Sequence, residues 1–389
     1  MLSQLSPLEL ARFHNEMEKE LHNPSTSQLL NSLNPMPHIP LSDISRYRGE
    51  LMGAAMIFII LFHVPLGRAD AFFGLHRLGN VGVDMFFFLS GMGLWFAWGK
   101  LSNPTKVATS LPAREGQGSW SAFALFYRRR FARLMPAWLI MASLFYVPDF
   151  LGPRKYSPTL FNLLGDITLN LDFWRYDELT FWYIPALMAL YVIAPFYMEL
   201  IRRHPVYRWL PVLMIMWCVI VQWVLPIHQA VGHLEIFWSR VPIFLIGINV
   251  GEQVHNELTL DSSALWLLLL LFVAAFASSL YLEQVRHGKF PLFAERMLYI
   301  PMTVCGILLI CQLFHHAPSW LLRALSFVGT ISLETYLIHV HFVMKPIAQY
   351  HLGYWPTFLL TVAISLPLAW CLHKLTEPIA KFLSPNSKH

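Results

Sequence analysis

Ten apolar runs, separated by mostly short polar loops, make up most of the chain beyond Leu51. Each is close to the roughly 17–25 residues that an α-helix needs to cross the hydrocarbon core of a bilayer. Their approximate limits are 48–66, 80–98, 131–150, 181–201, 209–226, 236–253, 264–282, 296–314, 320–345 and 355–375. The runs are unbroken rather than alternating, which selects helices over the strands of an outer-membrane barrel. Of the 389 residues 56% are hydrophobic and 13% charged, against roughly a quarter charged in a soluble chain. That balance excludes a disordered polypeptide and a nucleic-acid-binding protein. The expected fold is all-α, a polytopic membrane protein with about ten transmembrane helices. The first, sixth and ninth runs fit a clean span least well. Arg240 interrupts the sixth, and Glu334, His339 and His341 the ninth; such groups usually face a bundle interior or a wet cavity.

Residues 1–44 are polar and hold no apolar core suited to a signal peptide, so they read as a cytoplasmic arm. Within it Ser6-Pro7 and LELARFHNEMEKELH predict a capped, charged helix, followed by a linker. Residues 45–380 form the membrane domain and 381–389 a short cytoplasmic tail. An even number of spans puts both ends on one side. On that assignment 18 of the 28 Lys and Arg lie inside and nine outside, with Arg240 within a span, a positive-inside bias that supports the orientation. The net charge of +5 is thus a topology signal rather than a nucleic-acid footprint. The long external segment 152–180 contains PTLFNLLGDITLNLDFW, which resembles a surface helix or re-entrant piece more than a span. No internal repeat is visible, which weakens a transporter built on paired halves.

Chemistry-bearing residues are few. His63 closes the first run in AAMIFIILFH, where an imidazole needs a cavity or a partner. Arg48 lies on the same helix, roughly 60° from the His63 face and about 22 Å away, so both could line one channel. The second run opens with Asp84, a candidate to orient His63 or to cap the helix, and carries Ser90, Gly91 and Gly93, which read as a close-packing face, with Ser90 also a possible channel or acceptor residue. FYRRRFARLMPAW places Arg128, Arg129, Arg130 and Arg133 at the cytoplasmic entrance of the third run, more cations than orientation needs. Arg129 or Arg130 shares a face with Arg133, an arrangement suited to clamping phosphate. Glu334, Tyr336 and His339 read as interhelical hydrogen-bonding groups or as a second polar wall of the channel. Arg240 with Glu235 reads as an ion pair or an acceptor contact. Cys218, Cys305, Cys311 and Cys371 all fall in apolar runs, which argues against a disulfide framework or a metal site.

Taken in order, several segments resemble the membrane-bound acyltransferase 3 family, the O-acetylases that decorate cell-surface glycans. They are the first-span His63, GVDMFFFLSG at 82–91, RRRFARLMP at 128–136, WYIPALMALYVIAP at 182–195, RVPIFLIGINVG at 240–251 and SLETYLIHV at 332–340. The resemblance covers about 48–380. It implies an enzyme that takes acetyl-CoA or another acyl-CoA from the cytoplasm, as substrate and not as a bound cofactor. The acyl group goes to a hydroxyl of a carbohydrate or lipid-linked glycan across the bilayer, a modification of cell-envelope polysaccharide. It also implies a bacterial plasma (inner) membrane location. It gives His63 the role of catalytic histidine, and Arg130 and Arg133 that of the RxxR pair associated with the donor. Those roles agree with the chemistry, since CoA is a polyanion and a hydroxyl needs a base to become a nucleophile.

One position departs from the family. An arginine commonly separated from that histidine by ten residues is here Met52, with Arg48 one turn earlier on nearly the same face. The donor then sits lower, another span supplies the arginine, or the chain belongs to a variant branch. The sequence ends soon after its tenth run, so the fused hydrolase-like domain of some members is not expected. The rival reading is a transporter or flippase for an anionic or glycan-linked solute, with His63 relaying protons. An inactive scaffold is a third, suggested only by Met52.

Overall fold

Where water is absent a backbone N–H or C=O must be satisfied within its own helix or in a closed barrel, and this chain uses helices. The computed structural model describes residues 39–102 and 120–384, apart from 154, 177 and 288. Its main helices are α1 (Arg48–His63), α2 (Val81–Ser102), α3 (Trp120–Leu151), α4 (Tyr183–Arg203), α5 (Leu210–Trp223), α6 (Val241–His255), α7 (Ser262–Gln284), α8 (Leu292–Phe314), α9 (Ser319–Thr330), α10 (Ser332–Ile338) and α11 (Tyr354–Leu383). Among the described residues seven helices are long and apolar enough to cross a membrane. The number is nine if each of two bent pairs, Leu225–Trp238 with Val241–His255 and Ser319–Thr330 with Ser332–Ala348, is one span. The protein is all-α and polytopic.

The three runs that fit a clean span least well are the three that do not form a single spanning helix in the structure. The sixth and ninth are the bent pairs, turned by 41° and 64°. The first is α1, whose 16 residues reach only about 24 Å, short of the hydrocarbon core of roughly 30 Å. It is held inside the bundle, with Leu51, Ala55, Met56, Ile59 and Ile60 buried. Burial also separates hub from rim: 83% of the apolar window of Phe73–Ser102 is enclosed by protein, against 11% for Ser263–Gln284. The hub packs backbone to backbone. Gly91 of α2 stands against the Phe244 carbonyl of α6, and Gly247 of α6 against Phe88 of α2, so a Cβ at either would collide with main chain.

Two features flank the bundle. The segment expected to lie on the surface forms a helix at Leu160–Leu169, capped by Thr159 and ended by Asn170 in the left-handed region at φ 50°. The end of the N-terminal arm is docked: Ile39–Pro40 pairs antiparallel with Thr259–Leu260, and Asp43 meets His315 at 2.7 Å. The helix expected earlier in the arm and the last five residues of the tail lie outside the described residues. Beyond α10 the chain continues as a π-helix over His339–Met344, a widened turn found frequently at functional sites.

Candidate active site

Arg48, at the first turn of α1, points across to α2, where its Nε donates to the Leu89 carbonyl at 3.4 Å. Gly93 leaves room beside it: a Cβ there would lie 3.0 Å from one guanidinium nitrogen of Arg48. Arg48 lines a cavity of about 80 Å³ together with Arg130 and Arg133 of α3, Met52, Ser90, Tyr183, Tyr191 and Tyr336. Arg48 and Arg130 are half-buried and Arg133 is exposed. No described carboxylate pairs with any of the three. The Nε of Arg130 is buried without a hydrogen-bond partner among the described residues. Three close cations without a counter-ion are electrostatically incomplete, and the missing partner is an anion or water.

At the other end of α1, His63 faces His339. Their rings are 5.0 Å apart at 72°, with Nε2 of His339 3.3 Å from Nδ1 of His63. The same Nδ1 lies 2.8 Å from the Ile59 carbonyl. His63 is half-buried, whereas His339 is fully enclosed. Tyr336 connects the two regions: it lines the arginine cavity, its hydroxyl accepts the Tyr183 backbone N–H at 3.3 Å, and its ring centroid is 6.1 Å from that of His339. The end of α1 is tied down twice more. His76 Nε2 donates to the Val64 carbonyl at 2.9 Å and the Tyr354 hydroxyl to the Leu61 carbonyl at 3.1 Å.

The remaining sequence candidates fall elsewhere. Asp84 is bound to Arg240 at 2.5 Å, with both side chains fully buried, so its partner is Arg240 and not His63. Arg240 is therefore not the mate of Glu235, which pairs with Arg296; this corrects the expected pairing, because the bend before α6 turns Arg240 toward α2. Arg129 does not line the cavity; of the two candidates for the face shared with Arg133, the fold chooses Arg130. Glu334 pairs with His373 of α11 at 2.8 Å, away from the two residues that follow it into the site, Tyr336 and His339. Tyr183, Tyr191 and His76 were missed. The two tyrosines stand in the segment 182–195 singled out for its resemblance, and their hydroxyls on an apolar helix were the available signal. His76 gave none, since its partner is a backbone carbonyl.

A family model described as an acyltransferase domain matches residues 53–374. The chain belongs to the membrane-bound acyltransferase 3 family. No curated protein and no solved structure matches it. The acyltransferase match begins at Gly53, so Arg48 and Met52 precede it while His63, Arg130, Arg133, Tyr336 and His339 fall within it. The protein is thus a multi-pass membrane acyltransferase by family, with a cationic cavity and a histidine pair at opposite ends of one short helix.

Proposed function

We propose that this acyltransferase moves an acetyl or other short acyl group from cytoplasmic acyl-CoA to a hydroxyl of an extracytoplasmic carbohydrate or lipid-linked glycan, in a bacterial plasma membrane with its N-terminus inside. The observation that carries this reading is the set of Arg48, Arg130 and Arg133 around one cavity with no described carboxylate beside them. Their forks suit the phosphates of CoA. The cavity is narrow, about 80 Å³ against roughly 300–1,000 Å³ for pockets that enclose whole small ligands. It suits a thread-like arm carrying a thioester, and Tyr336 marks the direction toward His63. The positive-inside bias supports a cytoplasmic arginine end. His63 Nε2 accepts the proton of the acceptor hydroxyl as its oxygen bonds to the thioester carbonyl carbon. The carbon–sulfur bond then breaks, and the departing thiolate takes the proton from Nε2.

Incubating purified protein with radiolabelled acetyl-CoA and membrane glycans tests this. Label should become covalently attached to glycan, and His63→Ala should lower the rate by roughly 10²–10⁴-fold while CoA affinity is retained. Solute movement without a covalent product would establish the transporter instead.

A further inference from the structure

His63 and His339 form a dyad in which the hydrogen-bond partners dictate where each proton sits. Nδ1 of His339 lies 3.0 Å from the Thr335 carbonyl and 3.0 Å from the Tyr336 carbonyl. Both are acceptors only, so this nitrogen carries the proton and Nε2 of the neutral ring is a lone pair. That lone pair faces Nδ1 of His63 at 3.3 Å. The other neighbour of His63 Nδ1 is the Ile59 carbonyl at 2.8 Å, again an acceptor, and one that already takes the helical hydrogen bond of its own turn. Nδ1 of His63 is therefore a donor, which leaves Nε2 as its basic nitrogen. Among the described residues Nε2 has no partner. The other titratable groups acting on or facing the two rings are Arg77, His76, His341 and Tyr336, none of them a carboxylate.

We infer that His339 is a positioning residue that, together with the Ile59 carbonyl, holds His63 in the Nδ1–H tautomer and, as His63 becomes imidazolium, shares in accepting the strengthened Nδ1–H hydrogen bond. This rests on the proposed acyl transfer. The fully enclosed His339 does not touch substrate and acts through the half-buried His63. The assignment parallels the aspartate of a serine-protease triad, with a neutral ring in place of a carboxylate. The π-turn supplies the geometry: His339 is its first residue, and its side chain bonds back to two successive carbonyls of α10.

The test compares His339→Leu, His339→Gln and His339→Asn in the full-length protein. The amide of Gln reaches the place of Nε2, and its oxygen can still accept from His63. The amide of Asn reaches only the place of Nδ1. His339→Leu and His339→Asn should lose roughly 10–100-fold in kcat, the weight typical of outer-shell partners that orient metal-ligating histidines, and less than the loss of a charged triad carboxylate. The KM for acetyl-CoA should not change. The acid limb of kcat/KM should move to lower pH, because the imidazolium has lost one of its two acceptors and keeps only the Ile59 carbonyl. His339→Gln should keep kcat within several-fold and the limb near that of the parent. If the Leu variant does not fold, the Gln against Asn comparison decides. Equal losses in Gln and Asn, or parental kcat and an unmoved limb in Asn, would overturn the inference. An inactive parent protein would instead refute the acyl-transfer reading.

Discussion

Two groups of arginines lie within this bundle, and they are built in opposite ways. Arg240 and Arg296 each have a carboxylate: Asp84 at 2.5 Å for the first, Glu235 for the second. Arg48, Arg130 and Arg133 have none among the described residues and share a cavity instead. Taking a charge out of water is costly unless a partner compensates it. The first group is compensated from within the chain and is structural. The second leaves positive charge standing along a cavity, which makes sense only where an anion or water enters.

Substitutions in either group break or sharpen that contrast. Arg240→Met alone strands Asp84 in the hub and should destabilise the detergent-solubilised protein by about 3–5 kcal/mol in thermal or denaturant unfolding. Most of this should return in the Asp84→Leu, Arg240→Met double variant. In the cavity, Arg130→Met or Arg133→Met should leave stability level or raised, since repulsion is relieved. Acetyl-CoA affinity should fall by about 1.5–3 kcal/mol for each lost charge-assisted contact, as read by titration calorimetry. A stability loss like that of Arg240 with unchanged affinity would erase the distinction.

A smaller effect is expected one layer out. Gly93→Ala pushes on the Arg48 guanidinium and should raise the KM for acetyl-CoA several-fold without loss of fold. Arg48→Ala should do the same more strongly. Met52 lines the same cavity and differs from position 48 by one turn and about 40°, so Met52→Arg in the Arg48→Ala background should restore part of donor use. Full turnover in Arg48→Ala would confine the donor site to α3.

The smallest effect concerns acids. In the surface segment Asp172 is pushed up to about 6 by burial and then by the nearby Asp166, and burial raises Asp166 as well. A carboxyl whose folded pKa exceeds its unfolded value favours the folded state below the unfolded pKa, and this advantage is lost as pH rises through the folded one. Amide hydrogen exchange in 156–176 should therefore slow as pH falls from 7 toward 5, after correction for intrinsic rates. Asp172→Asn should flatten that dependence.

Much of the architecture was legible in the sequence, because a bilayer imposes a length and a composition on every span. That is why each apolar run coincides with a helix or a bent pair, and why Arg240, Glu334 and His339 marked the irregular ones. The order of motifs was enough to indicate the family. His63, Arg130 and Arg133 could be singled out because a charged or titratable group in an apolar run is conspicuous.

Partnership was not legible. Nothing local to Asp84 says that it meets Arg240, 156 residues away, or that Glu235 belongs to Arg296. Nor does the sequence say whether Arg129 or Arg130 enters the cavity, since the two differ by 100° on one helix and only packing fixes its rotation. The pairing of His63 with His339, 276 residues apart, depends on a short helix, a bend and a π-turn acting together. The sequence by itself determined which groups are too polar to be left alone in a membrane. Only the tertiary structure decided which found a partner within the chain and which stand open to a ligand, because compensation of a buried charge depends on distances of a few ångströms between helices.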